Sequence, residues 1–169
     1  MKKTRRFVAL LLAAVLALAL FTACGAAGQP QSTIGEQYEK WLVEQINSNR
    51  PEGKTVQKVN VKHSEMVAAL AKIGEDGKFT AKDGHYEYDN GYGESWYWLI
   101  LSDPMVWHVP GSETIDAVAL TPENLTKYGP NYYFRDSELY RINEYDIVAR
   151  VIDGKTYAAV YVHLEKKPS

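Results

Sequence analysis

The chain has 169 residues, of which 19 are basic and 21 acidic, giving a formal net charge of −2, and it holds one cysteine. That length suits one domain. Nearly balanced charge argues against a nucleic-acid surface, which selects a clustered basic face, and a single thiol excludes an intramolecular disulfide.

The chain opens Met1-Lys2-Lys3-Thr4-Arg5-Arg6, with four positive charges and no acid, and continues as an apolar run from Phe7 to Ala23 free of charge and proline. A basic start, an apolar middle and a small-residue end make an export signal. The basic residues favour the cytoplasmic side while the run enters the bilayer. The run is shorter than the roughly 20 residues that span a bilayer. It ends Phe21-Thr22-Ala23-Cys24-Gly25, which resembles the lipobox of bacterial lipoproteins, with Phe21 where leucine is commonest. The resemblance covers residues 1–25. It implies that the Cys24 sulfur receives a diacylglyceryl group and that cleavage leaves Cys24 as the first residue. It also implies a lipid-anchored protein on the extracytoplasmic face of a membrane, since two acyl chains anchor stably.

Residues 1–23 are then the leader, 24–32 a tether of small and polar residues, and 33–166 a single domain. Lys2, Lys3, Arg5 and Arg6 would leave with the leader, so the remaining chain carries 15 basic against 21 acidic residues, about −6. That balance gives no polybasic stretch for lipid head groups.

Within the domain, Thr33-Ile34-Gly35-Glu36 fits a capping box. Ile34, Tyr38, Trp41, Leu42 and Ile46 follow as one apolar stripe at helical spacing, and Asn47 to Pro51 stops the helix. Thr55 to Lys62 alternates around Val59 and Val61 and predicts a strand. Ser64 predicts the cap of a short helix bearing Met66, Val67, Leu70 and Ile73, closed by Gly74. Phe79–Lys82 and His85–Tyr88 flank Asp83-Gly84 and predict a hairpin with a primed two-residue turn. Ser95 to Leu101 and Met105 to Val109 read as strands, the first buried on both faces, and Ile115 to Leu120 as another. Thr121-Pro122-Glu123 predicts a short helix ending at Gly129-Pro130. A long hairpin closes the domain, Tyr145–Ile152 and Lys155–Leu164 about Asp153-Gly154. Its predicted register sets Tyr145, Ile147, Ala149 and Val151 beside Val162, Val160, Ala158 and Thr156 as the core face. The fold class is α+β, with N-terminal helices on a mainly antiparallel curved sheet. Cystatin-like and nuclear-transport-factor-like domains share that element order, by analogy of architecture only.

No serine-nucleophile elbow, His-Glu-x-x-His pair or phosphate-cradling glycine loop is present. His63, His85, His108 and His163 lack zinc-ligand spacing, so neither a metal nor a cofactor is indicated. One local constellation lies on the outer face of the last hairpin, where Glu144 stands opposite His163 and Asp146 opposite Tyr161. A carboxylate beside an imidazole suits acid–base chemistry, and cross-strand pairs on a solvated face supply the plainer account. Aromatic residues crowd two stretches, from Tyr86 to Trp107 and from Tyr128 to Phe134. Tyr92 sits between glycines in a polar loop. Trp96 and Trp98 share a strand face, and Tyr161 joins them as a candidate for ligand stacking; strand core is the competing role.

The leading expectation is a tethered binding or accessory module for an envelope protein, a glycan or a cell-wall fragment. The alternatives are a small envelope hydrolase using Glu144 and His163, or a structural or inhibitory partner of another envelope protein.

Overall fold

The computed structural model describes residues 33–48, 50, 53–129 and 140–167. The leader, Cys24, the tether and the aromatic group Tyr132, Tyr133 and Phe134 lie outside the described residues, as does part of the helix stop at 47–51. Among the described residues no helix is long and apolar enough to cross a membrane.

The fold is α+β. Helix α1 (Thr33–Ser48) buries Tyr38, Leu42 and Ile46 from the anticipated stripe, with Trp41 half-buried beside them. Thr33 is itself helical, so a cap would fall one residue earlier, outside the described residues. The Tyr38 hydroxyl donates to the Tyr128 carbonyl at 2.7 Å and ties the helix to the 121–128 segment.

The segment from Thr55 to Lys62 is a strand for two residues only, β1 (Gln57–Lys58). Val56 is buried, but Val61 is exposed, and the chain turns into helix α2 (His63–Leu70) at Asn60, whose carbonyl accepts from the His63 N–H. Ser64 therefore lies inside α2. Lys62 holds the cap position, with no side-chain cap bond. Met66, Ala69 and Leu70 are buried and Val67 is exposed.

The anticipated hairpin around Asp83-Gly84 does not form. Strand β2 (Lys78–Thr80) pairs instead with β5 (Thr114–Asp116), setting Phe79 opposite Ile115. A 3₁₀ turn at Ala81–Asp83 follows, and β3 (His85–Asp89) pairs with β4 (Glu94–Ile100). The reason is competition for donors: the Ala81 and Lys82 N–H groups bond to the carbonyls of Glu113 and Gly111. A primed turn also needs left-handed backbone, and Gly84 has φ −102°.

Met105 to Val109 is not a strand. Val106–His108 forms a 3₁₀ turn between Pro104 and Pro110, neither of which can donate to a ladder. The Ile115–Leu120 segment divides between β5 and β6 (Ala119–Leu120), which belong to different sheets. Residues 122–127 are turns rather than a helix. Asn124 diverts them by accepting the Thr121 N–H and donating to the Ala119 carbonyl.

Strands β7 (Tyr140–Ile152) and β8 (Lys155–Lys166) form the long hairpin in the anticipated register, with Glu144 opposite His163, Tyr145 opposite Val162 and Arg150 opposite Tyr157. Asp153 and Gly154 have φ of 47° and 73°, as a primed turn requires. Both strands extend beyond the anticipated ends, and a bulge lies between Ile142 and Glu144. Among the described residues the main sheet runs β1-β7-β8-β4-β3, with β6 continuing the β4 side of β8. All of its pairings are antiparallel except β1 with β7.

The sheet is covered on both faces. The Tyr145 hydroxyl reaches Glu39 of α1, whereas its neighbour Asp146 accepts from His63 of α2 at 2.8 Å, and consecutive strand residues point to opposite faces. The hairpin face anticipated as solvated is thus largely core: Asp146 and Tyr161 are each 1% exposed. Asp146 keeps the Ile147 N–H and His63 as partners. Burial nevertheless raises its carboxyl pKa above the ordinary value, against the pull of His63 and Lys58.

Two glycines separate packing from backbone demands. A Cβ at Gly84 would run into the Phe79 ring, whereas at Gly154 it would meet nothing within 4 Å but stand at φ +73°. Gly84→Ala should cost about 1–3 kcal/mol by overpacking, and Gly154→Ala about 1–2 kcal/mol by left-handed strain. Asparagine, which tolerates that backbone, should recover part of the loss at 154 and none at 84 in urea unfolding.

Candidate functional site

Side chains on the α2 side of the sheet fall into cross-strand rows. One row runs Tyr86, Trp98, Tyr161, Asp146, and the next runs Tyr88, Trp96, His163, Glu144, Gln57. Helix α2 packs on the first of these: His63 bonds Asp146, and Lys62 lies 4.1 Å above the Tyr86 ring. Trp98 is 6% exposed, and its indole N–H has no hydrogen-bond partner among the described residues. Burial, then the charge of Glu144, pushes the Tyr161 hydroxyl up to about 12. Of the four candidates for ligand stacking, Trp98 and Tyr161 are therefore core residues.

The second row lies at the border of the covered area. Trp96 is half-buried, with its ring centroid 5.5 Å from Tyr88 and 4.7 Å from His163, the latter stacked at 10°. Tyr92 is 93% exposed at the tip of the β3–β4 hairpin. There Asn90 accepts from the Tyr92 and Glu94 N–H groups and donates to the Glu94 carboxylate. Tyr92 does not line the cavity described next.

Glu144 and His163 share the wall of a cavity of about 520 Å³. His163 Nδ1 stands 3.7 Å from Glu144 Oε2, beyond hydrogen-bond reach. The pair that the hairpin register placed together is adjacent without being bonded. Arg50, Lys54, Thr55 and Gln57 close one side, and β7 adds Arg141 and Asn143. The bulge makes this possible. Ile142 pairs with Leu164 and Tyr145 with Val162 on the α1 side, so Arg141 and Glu144, three residues apart, share the opposite face.

Arg141 is held from behind by Glu165. Its Nε and Nη2 donate to Glu165 Oε2 at 3.3 and 3.0 Å, and the Asn143 amide donates to the same oxygen. The Asn143 bond, then Arg141, holds the Glu165 carboxyl below the usual carboxylate range.

The hairpin register located Glu144 and His163, but Arg50, Lys54, Arg141 and Asn143 were not anticipated. The available signal was a run of polar and basic residues after Pro51 and a second at 141–144, with nothing local linking them. Among the described residues no group of three or more His, Cys, Asp and Glu side chains is placed to hold a metal ion. No protein-family model, curated protein or solved structure matches the chain.

Glu165 yields a pH prediction. Its folded pKa is depressed, so its stabilisation is complete above the unfolded carboxylate pKa and is lost as pH falls through the folded value. Glu165→Gln should lower the unfolding free energy near neutral pH by about 0.5–1 kcal/mol, the range of a largely solvent-screened pair. The gap between wild type and variant should close in acid, as read by urea titration across pH.

Proposed function

We propose that this chain is an extracytoplasmic lipoprotein, held to a membrane through lipid on Cys24, whose domain binds a polar ligand of the cell envelope. The observation that carries the binding reading is the cavity bounded by Glu144, His163, Arg141, Arg50 and residues 53–57. Its volume of about 520 Å³ lies in the range of ordinary small-ligand sites. Its side chains come from separate segments around one polar hollow, which suits a glycan or cell-wall fragment better than a protein partner, for which a broad apolar patch is the usual mark. The anchoring reading rests on the basic-apolar-small leader that ends at Ala23, directly before Cys24.

The hydrolase reading draws weaker support. Glycoside hydrolysis ordinarily needs two carboxylates across the scissile bond, and the cavity lining supplies only Glu144. At 3.7 Å the Glu144 carboxylate does not orient the His163 ring through a hydrogen bond.

Two measurements test the proposal. Cells fed labelled fatty acid should label the wild-type chain, and Cys24→Ser should abolish both label and membrane retention; an unlabelled wild type would overturn the anchoring. Calorimetry of the full chain with soluble cell-wall fragments should show binding that His163→Ala weakens about tenfold, or about 1.4 kcal/mol. Equal binding by both would remove the cavity from the proposal, and product release that depends on Glu144 would favour the hydrolase.

A further inference from the structure

The cavity concentrates positive charge in a chain whose acids outnumber its bases. Arg50, Lys54 and Arg141 line it, against one carboxylate, Glu144. The Glu144 charge stands on the sheet beside His163. Lys54 reaches the cavity from an exposed loop position just after Gly53, whose φ of +80° suits glycine.

Arg141 is held by hydrogen bonds. Two of its nitrogens donate to a single oxygen of Glu165, which fixes the plane of the guanidinium. A guanidinium carries five N–H donors in a rigid fork, more than one carboxylate oxygen accepts, and the same side chain lines the cavity. A forked donor held in place beside a lysine is the arrangement that recognises carboxylate or phosphate oxygens. Gln57, Asn143 and Thr55 add neutral polar groups to the same lining, suited to the hydroxyls of a sugar.

We infer that the cavity takes an oxyanion, a carboxylate or a phosphate ester, carried on a small polar molecule such as an acidic sugar. This rests on the binding reading above and narrows its ligand.

The full chain, held in detergent micelles, is titrated with glucuronate, glucose 6-phosphate and glucose. At least one charged sugar should bind ten or more times tighter than glucose, and the better of the two identifies the source as carboxylate or phosphate. Lys54→Gln and Arg141→Gln should each weaken that binding about tenfold. Arg141→Lys, which keeps charge but loses the fork, should recover only part of the loss. Arg150→Gln removes the same charge from an exposed β7 position outside the cavity lining and should change nothing. Thermal melts check folding, and Lys54→Gln, at an exposed loop position, keeps the test open if the Arg141 variants unfold. Equal affinity for charged and neutral sugars would overturn the oxyanion while leaving a binding cavity. An Arg150→Gln effect as large as that of Lys54→Gln would also overturn it, by tracing the attraction to overall surface charge. No binding of any of the three sugars would overturn the oxyanion, and no binding of cell-wall fragments either would overturn the binding reading with it.

Discussion

Strand β8 is constrained on four sides, and the rest of the domain is arranged around it. It pairs with β7 along one edge and with β4 and β6 along the other, and it is buried on both faces for most of its length. Because the side-chain period of a strand is two, a one-residue slip would send every side chain to the wrong face. His163 and Tyr161 would then point toward α1, and Val162 and Leu164 toward α2. The Asp153-Gly154 turn prevents this by fixing the pairing at its closed end with two consecutive left-handed residues. The bulge at 142–144 relaxes the constraint at the open end, beyond the reach of the turn.

The border between core and site follows from where α2 begins. The helix begins at His63, directly over Asp146, so the row containing Tyr161 and Trp98 is sealed while the next row toward the open end is not. Sealing has an electrostatic consequence. Asp146 is buried, with the half-exposed His63 and the Ile147 N–H as partners, and desolvation still raises its pKa. Glu165, farther toward the open end, gathers donors from Arg141 and Asn143 and is shifted the other way. Two carboxylates on one face of one hairpin thus differ because one is covered by a helix and the other borders solvent.

What could be read from the sequence was what adjacent residues decide among themselves. The β7–β8 register followed from one turn and strict alternation, both local, and α1 from a 3.6-residue stripe. The reading failed where a distant segment took the backbone donors. Phe79 to Tyr88 has the pattern of a hairpin, but Ala81 and Lys82 donate to carbonyls about thirty residues away, and residues 121–127 have a good helix start that the Asn124 side chain diverts. Glu144 and His163 were legible because the register paired them. Arg50 and Lys54 were not, since they meet Arg141 only through the parallel pairing of β1 with β7, which no alternation pattern encodes.

The placement of the basic residues also bears on binding against catalysis. Arg141 borders an open cavity and is about two-fifths exposed, so it stays partly hydrated and avoids the penalty of a buried ion. Its pairing with Glu165 contributes little to stability, as exposed pairs generally do. What the pairing does supply is orientation: a guanidinium already fixed in plane loses less side-chain freedom when an anion arrives. A catalytic site would instead fix the group that moves the proton. Here His163 is stacked on Trp96 yet lies too far from Glu144 to be oriented by it. Arg141 is fixed in plane by its bonds to Glu165, and a forked donor so oriented suits the proposed recognition of charge better than it suits proton transfer.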